Sequence, residues 1–368
     1  PRAVLPEDWN GRRACAYAGY CGSYGCRTEA KGSSLAAFIP RALKTKRCEI
    51  RPRAMVTKLV SDETGKVVKA EYRDAEGKLQ TIEASVFVVA CQAIESARLL
   101  LNSRGPKHPQ GLANGSGLVG RNLLFSTFGA GWGDFRYSAR KEDAWLRSKE
   151  TFVNRSLQDY YHIDDPKLGK RKGGTIDFLL MHPNPIAVGM SQAFEDDVPR
   201  GKVFWGQPLK DRLYDWIHEA QHLKFEIFGE WLADRRSRVT IDPYTKDRWG
   251  SQVARVHPYS HPRNRETATY LMDRGVEFLR ALGAEKPRTV PSYGGPSTNL
   301  IAGTCRFGTD PQRSVLDVDC RAHEARNLFV TDGSFMPTAG SVPFTFTIYA
   351  NARRVADRIV EQLGGIKR

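Results

Sequence analysis

Three groups of residues in this 368-residue chain have the types and spacing that chemistry needs. Cys15, Cys21 and Cys26 share one short loop with Gly19, Gly22 and Gly25. Three thiolates on so pliant a loop are able to wrap a soft metal centre. Their C-x5-C-x4-C spacing is not that of a ferredoxin, and three ligands suit a three-iron [3Fe-4S] cluster better than a four-iron one. The same residues read equally well as reduced or structural thiols, or as one disulfide beside a free thiol. The second group lies in TDGSFMPTAGSVPFTFT, residues 331–347, where Asp332-Gly333 ends an apolar run and Pro343-Phe344-Thr345 precedes a helix. A glycine turn lets backbone N–H groups approach an anion closely, while Asp332 also reads as a turn or cap residue. This stretch holds no histidine, cysteine or lysine. The third group is RVHPYSHPRN, whose His257 and His261 are the histidines nearest the expected substrate wall. Either could act as a base, although a loop histidine is more often a surface residue.

The elements that must position these groups follow from periodicity. Gly11 to Ser34 forms a Gly/Cys-rich loop, and SLAAFIPRALKTK reads as a helix with Leu35, Phe38, Ile39 and Leu43 on one stripe. Strand-like runs CEIRPRAMVTKLVSD, KVVKAEYRD and KLQTIEASVFVVA are parted by the turns ETGK and AEGK. The last run ends in VFVVA, an unbroken apolar segment of the kind buried in a parallel sheet. It passes through Cys91 and Gln92 into the helical pattern AIESARLLLNS, a strand–turn–helix unit that places a ligand at the strand's carboxyl end. From Ser126 to Arg255 aromatic residues and alternation (TIDFLLMHP, FEIFGEWLA) predict an antiparallel sheet. ETATYLMDRGVEFLRALGA predicts an amphipathic helix with Tyr270, Leu271, Val276, Leu279 and Leu282 apolar. NLFVTDGS and FTIYANARRVADRIVEQL then return to α/β style. The expectation is an α/β fold: a discontinuous first domain (1–125 and 290–368) with a mainly antiparallel domain (126–289) inserted.

Composition narrows the classes. Net charge is +15 and the pI about 9.6, which favours acidic partners. The basic residues are scattered, however, without an aromatic-basic nucleic-acid signature, so no nucleic-acid partner is expected. No apolar run approaches the ~18 residues of a membrane span. Gly115 to Gly120 spell GSGLVG, but SRGPKHPQGLAN before them is no buried strand, so the match is not a dinucleotide fingerprint. Seven cysteines, an odd number, argue against a complete disulfide framework. The chain starts without Met, in mid-loop and without an apolar signal core, which reads as a fragment or one half of a split protein.

Several segments together resemble the glucose-methanol-choline (GMC) flavin oxidoreductases. VFVVACQAIESARLLLNS is similar to that family's strand-and-helix block, GSGLVGRNLLF to its GLVGRNLMDH, and residues 303–336 (GTCRFGTDPQRSVLDVDCRAHEARNLFVTDGSFM) to its GTCRMG…VVD…NLRVVDASVMP. RRACAYAGYCGSYGCRTEAKGSSLAAFIPRAL resembles the gluconate and fructose dehydrogenase branch, in which electrons leave for a partner. The resemblance implies a partial FAD-binding domain in which Val56, Ala90, Cys91 and Glu95 meet the adenosine part. Asp332 and Gly333 would lie near the pyrophosphate, and Phe344 and Thr345 beside the ring. It also implies a sugar or polyol-like alcohol as substrate, periplasmic export, and an electron-transfer or small subunit as partner. Sugar dehydrogenases related to that branch carry an iron–sulfur cluster in this cysteine loop.

Two departures accompany the resemblance. The family's opening GxGxxG block is missing, so a preceding segment or a second chain is expected to complete the flavin site. The family's catalytic His falls on Leu300, and its partner His or Asn on Pro343. Neither side chain accepts a proton, although alcohol oxidation to flavin needs a base at the hydroxyl. Asn299 could orient a hydroxyl, and His261 is the substitute base. The expected function is an FAD-dependent dehydrogenase component; the alternative is a structural or assembly subunit that kept the fold and lost the base.

Overall fold

The computed structural model describes residues 4–17, 25–137, 155–180, 185–193, 203–289 and 295–365. Its α/β part begins with β1 (Met55–Ser61), β2 (Val67–Arg73) and β3 (Leu79–Glu83), an antiparallel sheet in that order. The connecting turns share one device. Asp62 Oδ1 accepts from the N–H groups of Thr64 (2.9 Å) and Lys66 (3.0 Å), and Asp74 Oδ1 does the same for Glu76 and Lys78. An aspartate that bonds its own following backbone fixes a tight turn locally. The run KLQTIEASVFVVA, read as one strand, divides at Ala84 and Ser85 into β3 and β4 (Phe87–Val89). β4 pairs in parallel with β15 (Leu328–Val330), Val89 opposite Val330. Gln92, at φ 77°, then turns the chain into α3 (Ala93–Asn102) and caps it, its side chain accepting from Ile94 N at 2.9 Å.

The segment SLAAFIPRALKTK forms two short helices, α1 (Ser34–Ala37) and α2 (Ile39–Lys44), rather than one. Pro40 cannot donate to a continuous helix and instead sits in the first turn of α2. The expected apolar stripe is not a core face: Leu35, Phe38 and Leu43 are exposed. The GSGLVG stretch forms turns that lead straight into β5, with no strand before and no helix after, as the sequence context implied.

The inserted antiparallel sheet is built on β5 (Arg121–Arg136). Its strand order is β12 (Gln252–His257), β11 (Arg238–Lys246), β5, β10 (Ala220–Gly229), β9 (Gly174–Leu180) and β6 (Arg155–Leu157). β13 (Glu285–Thr289) and β14 (Gly295–Thr304) also pair with β5, while β7 (His162–Asp165) and β8 (Gly169–Lys172) form a separate hairpin. β5 therefore runs through the boundary drawn at residue 125, and β14, assigned to the C-terminal part, adds to the inserted sheet. α4 (Pro185–Ala193), α5 (Gln207–Tyr214) and a π-helical turn (Asp215–Glu219) lie between β9 and β10 in sequence.

The sheet's two faces have different partners because strand side chains alternate. Ile176, Phe178, Leu223, Phe225 and Ile227 point to α6 (Pro262–Ala281) and form one core with its Leu271, Met272, Val276 and Leu279. Leu282, expected on that apolar face, is exposed beyond the helix end. β5 makes room with Gly129, Gly131 and Gly133; a Cβ on Gly131 would stand 2.5 Å from the Phe225 ring. The opposite face carries Thr175 and Asp177, with Lys224, Glu226 and Phe228 and with Phe128 and Ala130 in register beside them. The second core joins α3, β4, β15, the start of β5 and the turns after β14. α7 (Thr345–Gln362) closes the chain with Phe346 and Val360 exposed. No helix among the described residues is long and apolar enough to cross a membrane.

Gly303 locks the two parts together. It sits at φ 77° in the irregular pairing of β14 with β5, and a Cβ there would stand 2.1 Å from Asn122 O. Gly303→Ala should therefore lose about 2–4 kcal/mol, read as a lower urea midpoint at unchanged slope.

Candidate active site

Asp332 organises the first turn. Thr331 N–H donates to Val89 O at 3.1 Å, which carries the chain past the end of β4. The Asp332 carboxylate is buried and accepts four hydrogen bonds. One oxygen takes Gln92 N–H (3.1 Å) and the Ser96 hydroxyl; the other takes Ser334 N–H (2.7 Å) and the Ser334 hydroxyl. Ser96 Oγ in turn accepts from Cys91 N–H at 3.1 Å. A single acid thus ties the end of β4, the first turn of α3 and the short 3-10 turn Gly333–Phe335. The next layer is tied by Cys305 N–H to Ser334 O (3.0 Å) and by the Thr304 hydroxyl to Ala93 O (2.7 Å).

The same geometry shows what Asp332 and Gly333 do within the chain. The Ser334 N–H points back to Asp332 rather than outward. Gly333 is required because a Cβ would stand 2.8 Å from Ile301 O on β14. The glycine serves close packing of β14. Among the described residues the Gly333 N–H has no partner.

The second turn crosses to the inserted sheet. Ser341 O accepts from the Thr175 hydroxyl on β9 at 3.2 Å. Among the described residues the fully buried Ser341 hydroxyl has no hydrogen-bond partner, and neither has that of Ser126 on β5. Buried hydroxyls normally find partners, so each of these orphans calls for an explanation. Pro343 is exposed, and Phe344, buried, is the N-cap of α7 without any capping side chain. The first N–H groups of an eighteen-residue helix starting at Thr345 are therefore left for another acceptor.

Above this turn stands the other face of the sheet, whose Thr175, Ala130 and Asp177 are buried. Phe128 and Phe228 face each other with ring centroids 6.0 Å apart. One same-face step along β9 from Thr175 lies Asp177, 6% exposed, whose carboxylate accepts from the Ser156 hydroxyl at 2.6 Å. Burial pushes the Asp177 carboxyl above its ordinary value; the Ser156 bond works against this, and Glu226, directly across on β10, adds to it. Glu226 itself is satisfied by Lys224 Nζ at 2.6 Å.

The other expected site residues fall as follows. Leu300 is buried in the α/β core and Asn299 is exposed on β14. His261 is engaged as the N-cap of α6, its Nδ1 accepting from Arg263 N–H at 3.2 Å, on the sheet face away from Thr175. His257 pairs with the Thr240 hydroxyl at 3.0 Å on the edge strand β12. Val56 lies on β1, Ala90 and Cys91 are exposed beyond β4, and Glu95 pairs with Arg98 at 2.9 Å. Cys15 Sγ accepts from Tyr17 N–H and Cys26 Sγ from Lys31 N–H, each at 3.4 Å, whereas Cys21 lies outside the described residues. Burial opposes it, but hydrogen bonds from Lys31 and Thr28 hold the Cys26 thiol below its ordinary value. Among the described residues no three His, Cys, Asp or Glu side chains converge as a metal set. Asp177, Ser96 and Ser341 were missed. The acid breaking the apolar strand GTIDFLL was the available signal for Asp177.

The family models agree with this arrangement. The N-terminal GMC oxidoreductase model matches residues 1–127 and the C-terminal one residues 233–352, together more than half of the chain. The chain belongs to the GMC oxidoreductase family. It is 31% identical to 6'''-hydroxyparomomycin C oxidase of Streptomyces lividus over 99% of its own length and 61% of that protein. It is 25% identical to the fructose dehydrogenase large subunit of Gluconobacter japonicus, over 99% of its length and 62% of that subunit. Among solved structures the formate oxidase of Aspergillus oryzae superposes with a TM-score of 0.58 at 15% identity, covering 90% of this chain and 63% of that one. This GMC chain thus spans about three fifths of the length of these relatives.

Asp332→Ala strips four donors of their acceptor at a buried site. It should lose about 3–5 kcal/mol, measured by equilibrium unfolding, while Asp310→Ala in a solvent-exposed turn should lose under about 1 kcal/mol.

Proposed function

We propose that this chain is the larger part of an FAD-dependent dehydrogenase that oxidises a sugar or polyol-like alcohol. The observation that carries the reading is the uncapped N-terminus of α7 directly after the turn holding the orphaned Ser341 hydroxyl. Unpaired N–H groups and a helix dipole suit the carbonyl edge of a flavin and the negative charge that gathers there. At the other end, the Gly333 N–H and the exposed Ala90 and Cys91, beside α3's first turn, suit the diphosphate and adenosine parts. Val56, Glu95, Phe344 and Thr345 complete that assignment. Bound FAD would supply the hydride acceptor.

The chain's own residues would do the rest. Phe128 and Phe228 offer an apolar wall that keeps water from the reacting carbon. The hydroxyls of Ser126 and Ser341 are available to hold a substrate oxygen, and the exposed Asn299 amide is a further donor. Passage of electrons to a partner subunit, in the periplasm, is part of this reading. So is completion of the flavin site by a preceding segment or second chain.

A second reading has its own support. Leu300 and Pro343 give no proton acceptor where the family keeps one, which favours a structural subunit that retained the fold. Anaerobic addition of sugars and polyols to the native assembly separates the two. Bleaching of the flavin absorption is the expected result; flavin bound but unbleached by every alcohol would favour the structural subunit. An exit route through a cluster on Cys15, Cys21 and Cys26 predicts iron and acid-labile sulfide in anaerobically prepared protein. Their absence would remove the cluster and leave the flavin reading standing.

A further inference from the structure

Like charges repel, yet the start of β5 gathers them. Arg121 opens β5 and stands directly opposite Arg238, the first residue of β11. Opposed like charges on paired strands destabilise a sheet. The Arg121 guanidinium also reaches the loop before β11, donating to Arg235 O at 3.4 Å. Arg306 lies two residues beyond the end of β14, whose Thr304 pairs with Arg121. Its Nε donates to Arg313 O at 2.8 Å. Burial pushes the half-buried Arg306 below its ordinary value, and the charges of Arg235 and Arg313 push it the same way.

The acids beside these arginines are spent. Asp234 is clamped by Arg236, Oδ1 taking Nε at 2.9 Å and Oδ2 taking Nη2 at 2.7 Å. Asp310, in the turn before Arg313, accepts from Gln312 N–H at 2.8 Å. Among the described residues no carboxylate forms an ion pair with Arg121, Arg235, Arg238, Arg306 or Arg313. Elsewhere the chain does pair arginines with acids, as Arg98 with Asp247, Arg255 with Asp242 and Arg354 with Asp319. The repulsion at the start of β5 is therefore particular to that place.

Guanidinium forks suit the oxygens of a phosphoryl group, and a multiply charged anion among them removes the repulsion they cause. Arg121, Arg235 and Arg313 are exposed, so the cluster is reachable from solvent. The half-buried Arg306 adds a less hydrated cation, at which an ionic contact is stronger. We propose that this arginine cluster is a binding site for a phosphoryl group, carried by free phosphate or by a phosphate ester. The site goes beyond the dehydrogenase reading and does not depend on it. The anion is held by ionic hydrogen bonds alone, and no bond to it is made or broken.

The test uses the native assembly as isolated, with inorganic phosphate and glycerol 3-phosphate as probes and chloride at matched ionic strength as reference. Calorimetry reads binding, and melting reads the stabilisation that binding to the folded state brings. The wild type should bind phosphate and melt higher in it than in chloride. Arg306→Gln should bind about 10–100-fold more weakly, the loss of an ionic hydrogen bond. Arg235→Gln, at an exposed position, should bind about threefold more weakly and keeps the test decisive if Arg306→Gln does not fold. Lys170→Gln, which removes a charge from the exposed β7–β8 hairpin, should bind as the wild type does. Without phosphate, Arg235→Gln should melt no lower than wild type, because one repelling charge is gone. Tighter binding of the ester assigns the site to an ester, and tighter binding of phosphate assigns it to the free ion. Equal melting in phosphate and chloride overturns the inference, as does an affinity unchanged in Arg235→Gln and Arg306→Gln. An equal loss in Lys170→Gln also overturns it, since net charge alone would then account for binding. Release of bound flavin by phosphate would put the anion in the flavin site and overturn it too. So would a lower phosphate-free melting point for Arg235→Gln, which would make that arginine structural.

Discussion

The Asp332 carboxylate is the interaction on which the rest of the structure depends. Two stretches remote in sequence, the turn from β4 into the first turn of α3 and the turn after β15, each need an acceptor at one point. One buried acid supplies it with four hydrogen bonds. Hydrogen bonds to an ionised acceptor are roughly twice as strong as neutral ones. With all four made, the desolvation of the charge is offset. Because Ser334 is fixed to Asp332, its carbonyl is placed for Cys305 N–H, and the turn after β14 settles against it. The position of β14 then sets where β5 begins, and so where the inserted sheet stands.

The sheet translates that anchor into a wall. Its α6 face is filled by large side chains, with glycines at 129, 131 and 133 of β5 giving way to Phe225, Met272 and Leu279. The opposite face is left for polar and aromatic residues, and the Thr175–Ser341 contact brings the turn before α7 under it. The site is thus a junction of two cores, and its orphaned hydroxyls lie at that junction.

Much of this was legible in the residues. The strand–turn–helix unit around VFVVACQAIES, the antiparallel insert, the α6 pattern and the DG turn after NLFV all follow from period and turn chemistry. The family resemblance followed from the order of its motifs. What could not be read depended on contacts distant in sequence. Gly333 reads as an anion turn, and the packing need for glycine set by Ile301 O, some thirty residues earlier, was not legible beside it. That His261 caps α6 depends on local geometry that spacing does not reveal. The stripe of α1 and α2 suggested a core face, yet periodicity states only that a face exists and not what covers it. Asp177 was passed over because its burial and its bond to Ser156 come from pairing with β6, which the spacing of residues does not show.

This GMC chain has the Asp332 turn and the uncapped α7, with Leu300 and Pro343 where the family's two proton acceptors are expected. On the proposed reading, that turn and the start of α7 together hold a flavin. The most direct measurement is the flavin-to-chain ratio of the native assembly, isolated whole and read by absorption after release. A ratio close to one flavin per chain is predicted. An assembly that is complete and folded but carries no flavin would contradict the account.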